Sequence, residues 1–294
     1  MNDPFLSAPV WKRFREFLAE GADRFSILDT ILAESGIDHK IIPVAGNRHF
    51  LIAPPAPAEP YLRWRQTILT AHYDRSPGSP GANDNSAAVF ILAETAQKLL
   101  EEKTGNWLVI FTDKEELGSG EGIKDQGAYT LAVTMRETKA ETSRIFNFDA
   151  CGTGDTLIIS TTVDYLLKNR ANMEKIHASI RELQADALEA ARELRMEKVL
   201  LAPTPFSDDA GFLMAGIAVQ TITMLPSEEC SFVARLRKDP GFADALVNLE
   251  LRNRGSHESI PETWRIMNSP RDSFLRLTPR NFRTVRRFAQ TLCR

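Results

Sequence analysis

Cysteine is scarce in this chain: three among 294 residues, at Cys151, Cys230 and Cys293. An odd, widely spaced set argues against a disulfide framework and a cysteine-based zinc site, and it suits a reducing compartment. Long apolar runs are lacking too. None reaches the roughly 18 to 20 residues that a membrane span needs. Met1 to Glu20 alternates apolar and charged residues without the apolar block of a secretory signal. A large excess of one charge is also absent: the net charge is −3, so no nucleic-acid or anionic-membrane partner is expected. There is no internal repeat and no low-complexity tract. These absences lead to the expectation of a soluble cytoplasmic protein with enough chain for a substantial core. They leave the oligomeric state open.

What is present is a regular alternation of elements. Helical periodicity covers 9–20 and 22–35, with Gly36 as the C-cap of the second. Two strands, 39–44 and 49–53, flank a Gly46-Asn47 hairpin signal. An Ala/Pro-rich connector, 54–60, leads to an apolar strand at 67–72, and a helix runs from about Ser86 to Lys103. Continuous apolar strands are predicted at 107–112 and 144–148, the kind covered on both faces of a sheet. A further strand is predicted at 156–160 and another at 219–224. Helices are predicted at 124–133, 164–196 and 209–215. A final helix reaches Cys293, with Thr278 as N-cap and Pro279 in its first turn. Strands alternating with helices imply an α/β fold, a mainly parallel mixed sheet sandwiched between helices. No composition break divides residues 1–294, so one domain is expected, with the polar 225–262 segment as a lid or flap.

Chemistry-bearing residues gather where the strands end. His72 and Asp74 follow the 67–72 strand, Glu115 and Glu116 follow 107–112, Asp149 follows 144–148, and Asp84 opens the next helix. Open α/β sheets bind ligands beyond the carboxyl ends of their strands. Each residue alone has an ordinary explanation: Asp84 as a helix cap, His72 as a hydrogen-bonded strand-end histidine, Glu115-Glu116 as a solvated pair, Asp149 as a turn former. Placed after three successive apolar strands, they favour a metal site instead, because His nitrogen and carboxylate oxygen suit borderline and hard divalent cations. One of the paired glutamates can then serve as base and the other as ligand, while Asp74 orients the His72 ring. His39, His49 and His177 lack such surroundings and read as structural or exposed. Cys151 reads as a small buried residue.

The motifs His72-Tyr-Asp74, Gly81-Ala-Asn-Asp84-Asn, Glu115-Glu116-Leu-Gly and Asn147-Phe-Asp149 resemble those of the co-catalytic di-zinc aminopeptidases. That superfamily also holds glutaminyl cyclases and glutamate carboxypeptidases. The resemblance covers 66–150 closely and resumes over 206–223 and 268–292. It implies a zinc-exopeptidase (phosphorylase/hydrolase-like) architecture. It also implies Asp84 as a ligand bridging two zinc ions, His72 and Asp149 completing one, Glu116 the other, and Glu115 as general base. A cis peptide bond at Asp84-Asn85 is expected on the same ground. The sequence departs from the family twice. Ser207-Asp208-Asp209 stands where relatives often read Ser-Asp-His. Asn268-Ser-Pro-Arg-Asp272 stands where relatives carry His-Thr/Ser-Pro-x-Asp, so the last ligand is either Asn268 or His257, and the zinc count is either two or one.

The resemblance implies an exopeptidase, an aminopeptidase hydrolysing small peptides through a metal-bound hydroxide. Two alternatives stand beside it: a single-zinc glutaminyl-cyclase-like acyltransferase, and an inactive peptide-binding protein on the same fold. Manganese or cobalt would also suit these ligands.

Overall fold

A computed structural model describes residues 8–55, 65–138, 143–167, 173–236, 238–247 and 260–294. Eight strands form one sheet: β1 (Lys40–Val44), β2 (Asn47–Ile52), β3 (Thr67–His72), β4 (Trp107–Thr112), β5 (Arg144–Phe148), β6 (Thr156–Ser160), β7 (Val199–Ala202) and β8 (Gln220–Leu225). Their order is β1-β2-β4-β3-β5-β8-β6-β7. The central four, β4-β3-β5-β8, are parallel; β1, β2 and β6 introduce antiparallel pairs.

Among the described residues the α-helices are α1 (Phe14–Phe17), α2 (Arg24–Glu34), α3 (Ala87–Glu101), α4 (Gly127–Glu137), α5 (Thr162–Leu167) and α6 (Glu174–Glu193). They continue with α7 (Asp208–Met214), α8 (Phe232–Leu236), α9 (Pro240–Val247), α10 (Glu262–Arg265) and α11 (Phe282–Leu292).

The two faces of the sheet follow from the two-residue period of its strands. Leu69 and Ala71 of β3, Val109 and Phe111 of β4, and Phe146 and Phe148 of β5 join one core with residues of α2, α3, α6 and α11. Ile68, Ile110 and Ile145, one step out of phase, join a second core with Ala128, Leu131, Ala132 and Met135 of α4 and Phe212 of α7. Helices therefore cover both faces, as expected. The segment before α2 is anchored by Trp11. Its ring stacks on Phe282 at 5.0 Å, and its indole N–H donates to the buried Glu94 carboxylate at 2.9 Å.

Local differences have local causes. The hairpin turn is Ala45-Gly46, one residue earlier than expected. Both carry positive φ (49° and 87°), as a two-residue hairpin turn demands, and Val44 pairs with Asn47. The helix expected at 9–20 is a 3₁₀ segment, Pro9–Arg13, running into the short α1. The helix expected at 124–133 begins three residues later, at Gly127, after a 3₁₀ turn. In place of one helix over 164–196 there are two, α5, which already starts at Thr162, and α6, with 168–172 outside the described residues. Strand β7, unforeseen, is a four-residue edge strand beside β6. Thr278 does not cap its helix, because its hydroxyl accepts from the Gly154 amide at 3.0 Å. The described part of 225–262 contains α8 and α9, whose Phe232, Phe242 and Leu246 pack with Trp264 and Ile158 into a third core.

Candidate metal centre

Sheet register alone brings two of the expected residues side by side. Thr70 pairs with Asn147 on parallel neighbours, so two residues further on His72 and Asp149 stand level at the carboxyl ends of β3 and β5. His72 also pairs with Thr112, the last residue of β4, and the chain then turns through Lys114 (φ 58°) into Glu115 and Glu116. Asp84 arrives from the loop Ala82–Ser86, which leads into α3. Its backbone (φ −112°, ψ 87°) is not helical, and the Asp84-Asn85 peptide bond is cis.

The ligand atoms of His72, Asp84 and Asp149 lie within 4.8 Å of one another, and all three residues are buried. His72 Nε2 is 3.2 Å from Asp84 Oδ1 and 3.8 Å from Asp149 Oδ1. On the other side of the ring, Nδ1 is 3.2 Å from Asp74 Oδ1. Asp74 also accepts the backbone N–H groups of Glu115 (3.1 Å) and Glu116 (2.9 Å). One carboxylate thus aligns the histidine and pins the turn carrying both glutamates. A cleft of about 490 Å³ opens over the group. Its walls include Ser76, Asp84, Glu115, Glu116, Asp149 and Asn268.

Among the described residues, the buried atoms here without a hydrogen-bond partner include His72 Nε2, Asp149 Oδ1 and Glu116 Oε1. Buried polar atoms without partners are rare and costly, and a cation would satisfy them. The electrostatics agree. Burial pushes the Glu115 carboxyl well above the usual carboxylate range; His72 opposes this, while Glu116, Asp149 and Asp208 add to it. Burial and the Asp84 charge push Glu116 up to about 8, against His72 and Ser76. Burial alone would lower the pKa of His72, but its contacts with Asp149, Asp74 and Asp84 override that and raise it. A concentration of carboxylates that strains toward protonation is relieved by a divalent positive charge. The donor set of one imidazole and several carboxylates fits zinc.

Glu116 lines the cleft outside the tight group, its Oε2 accepting from the Ser76 hydroxyl at 2.7 Å. Asn268 lines it in a left-handed conformation (φ 62°) that asparagine tolerates. His257 lies outside the described residues. The departure at Asp209 is absorbed into the fold. Its carboxylate accepts from the Ser207 amide (2.9 Å) and the Thr221 hydroxyl (3.1 Å), while burial pushes it up to about 6.

Several contributors escaped the sequence reading. Asp272 accepts from the amides of Asn83 (2.9 Å) and Asp84 (3.0 Å), and burial together with the Asp84 charge pushes it up to about 7. Asn85 bridges to the strand bearing Asp149, donating to the Phe148 carbonyl and accepting from the Ala150 amide. Asp208 is buried beside Thr112, whose hydroxyl donates to it at 2.5 Å. Asn85, Asp208 and Asp272 all lie in the motifs quoted from the sequence, but nothing in their local spacing showed which groups they bond.

A mainly parallel sheet with a buried His/Asp/Asp group and further carboxylates at its carboxyl edge is an α/β architecture suited to binding a divalent metal. The chain belongs to peptidase family M28, whose model matches residues 58–287. No curated protein matches it. Among solved structures it resembles a zinc aminopeptidase from Bacillus subtilis, with 18% identity and a TM-score of 0.55 over 83% of this chain and 49% of that one. It also resembles the LapA aminopeptidase of Legionella pneumophila, with 14% identity and a TM-score of 0.62 over 97% and 68%. A third likeness is the glutaminyl cyclase of Porphyromonas gingivalis, with 15% identity and a TM-score of 0.61 over 97% and 96%. Identities this low establish a shared fold. The chain spans about half the length of the Bacillus subtilis enzyme. No described helix is long and apolar enough to cross a membrane.

Proposed function

We propose that the chain is a zinc-dependent exopeptidase, an aminopeptidase that removes N-terminal residues from small peptides. The observation that carries this reading is the convergence of His72, Asp84 and Asp149 in a cleft that also holds the half-buried Glu115. His72, Asp84 and Asp149 would hold one zinc, and Asp84, Glu116 and either Asn268 or His257 a second. Bound zinc polarises a carbonyl and acidifies water. Glu115, in the same cleft, takes the proton of the attacking water and delivers it to the departing amine. Its raised affinity for protons suits the second half of that exchange. Gln126 Nε2 donates to the Glu115 carbonyl at 3.3 Å and lies 3.4 Å from its Oε1, holding the side chain in place. Leu117, Ile123, Phe206 and Met267 supply apolar wall beside the carboxylates, room for a side chain next to the scissile bond. The unpaired Cys151, Cys230 and Cys293 suit a cytoplasmic location.

The test is turnover of a panel of N-terminal residues by zinc-loaded protein, with free and acetylated amines compared. Cleavage of the free amines alone supports the reading, and equal cleavage of the acetylated peptides refutes the aminopeptidase assignment. Asn268 in the last ligand position favours a second reading, a single-zinc glutaminyl-peptide cyclase. Zinc stoichiometry near one, with cyclisation of an N-terminal Gln peptide and no hydrolysis, would select it; a value near two selects the peptidase.

A further inference from the structure

The loop carrying Asp84 is gripped from two sides. From one side Asp272 accepts its amides, at Asn83 and Asp84. From the other, the buried guanidinium of Arg24 takes its carbonyls. Arg24 Nη2 donates to the Pro80 carbonyl (2.9 Å), the Gly81 carbonyl (3.3 Å) and the Ser86 hydroxyl (2.6 Å). Its Nη1 donates to the carbonyls of Tyr73 (3.0 Å) and Asp74 (2.9 Å), which directly follow His72. One planar fork therefore ties the end of β3 to the loop entering α3. Burial and the neighbouring Arg75 lower its pKa to about 9, only partly offset by the carboxylates of Asp74, Asp84 and Asp272, and its face rests 4.4 Å from the centre of the Phe17 ring.

Nothing local explains an arginine here. Arg24 is the first residue of α2, where a cation opposes the helix dipole. The cap of that helix is Asp23, which accepts from the Ser26 amide without help. The space around the guanidinium is reserved as well. Gly81 has φ +60°, and a Cβ there would stand 2.9 Å from Arg24 Nη2 and 2.8 Å from the Asp84 carbonyl.

We infer that Arg24 is a positioning residue of the metal site, setting the separation of His72 and Asp84 through the backbone that carries them. This rests on the reading of His72 and Asp84 as zinc ligands. Only a planar fork reaches acceptors on both loops at once, so lysine is not equivalent. Removing the fork strips the donor from the Tyr73 and Asp74 carbonyls, while Pro80 keeps Arg75 Nη1 (3.2 Å) and Gly81 keeps the Ser86 amide (3.1 Å); what is lost is the tie between the two loops, which can then drift.

The test uses Arg24→Met and Arg24→Lys, with Trp11→Phe as a variant weakened away from the loop. Zinc affinity is measured by competition with a chromophoric chelator, and amide exchange over residues 81–86 is followed in metal-free protein. Groups that orient metal ligands typically cost about 10- to 100-fold in affinity when removed. Arg24→Met is expected in that range, Arg24→Lys between it and wild type, and Trp11→Phe within about twofold of wild type. Exchange over 81–86 is expected to quicken in Arg24→Met, to a lesser degree in Arg24→Lys, and not in Trp11→Phe. If Arg24→Met does not fold, Arg24→Lys carries the comparison. Native zinc affinity with native exchange in a folded Arg24 variant overturns the inference, as does an equal loss in Trp11→Phe. A wild-type chain that binds no zinc refutes the ligand reading instead, and exchange in the metal-free protein then decides separately whether Arg24 holds the loop.

Discussion

Glu115 and Glu116 are adjacent in sequence, yet their surroundings differ. Glu116 bonds the Ser76 hydroxyl and keeps one buried oxygen without a partner among the described residues; Glu115 is held by Gln126. Glu115→Gln is therefore expected to keep its zinc while turnover falls about 10²- to 10⁴-fold, the usual weight of a general base. Metal analysis and single-turnover rates on the same sample check both halves, and loss of zinc would show that the two glutamates exchange roles. A second residue reports on stability. His49 is fully buried, its Nδ1 accepting from the Asp113 amide, and burial lowers its pKa to about 4. Between about pH 6.5 and 4 the unfolded chain protonates this ring and the folded one does not, so stability falls as the pH drops through that window. The loss is on the order of 3 kcal/mol from this group. Urea titrations at pH 7 and pH 4.5 are expected to show a smaller acid loss for His49→Gln than for wild type.

At the scale of elements, the site depends on how closely a helix can approach a strand end. Gly127 opens α4, its amide donating to the Lys114 carbonyl at 3.0 Å, and a Cβ there would lie 1.9 Å from the Asp113 carbonyl oxygen. Gly127→Ala must push α4 away from the turn bearing Glu115 and Glu116, and from the adjacent Gln126. Overpacking of this kind costs about 3 kcal/mol. Chemical denaturation is expected to show that loss, together with a reduced turnover in the protein that stays folded. Unchanged stability would mean that the turn yields easily. The elements also show what a periodic pattern reveals and what it hides. Strands β3, β4 and β5 are buried on both faces, and their apolar runs marked them to the residue. Strand β7 has four residues at the sheet edge and half-exposed side chains, so its pattern is too weak to separate from loop.

For the whole molecule, the proposed ligands come from three strand ends and a loop, so zinc binding at this site would be linked to folding. Zinc at a hundred times its dissociation constant adds about 2.7 kcal/mol. For a chain of this size that is a rise in Tm of about 4 °C. Thermal melts with zinc and with a chelator check this, and Asp84→Asn is expected to abolish most of the difference.

The candidate ligands and base were legible in the sequence because each follows directly on the element that carries it: an apolar strand, then His72, Glu115-Glu116 or Asp149. The alternation of strand and helix likewise determined the fold class, since a strand buried on both faces needs helices to cover it. Tertiary structure decided what holds those residues. It set the neighbour order β4-β3-β5-β8, turned Asp74 onto the amides of Glu115 and Glu116, and brought Asp272 from 188 residues away onto the Asp84 loop. It also placed Arg24 between two loops about 50 and 60 residues further along the chain. A side chain whose partners are distant backbone carbonyls leaves no local spacing or period to read. Its role exists only once the chain has folded around it.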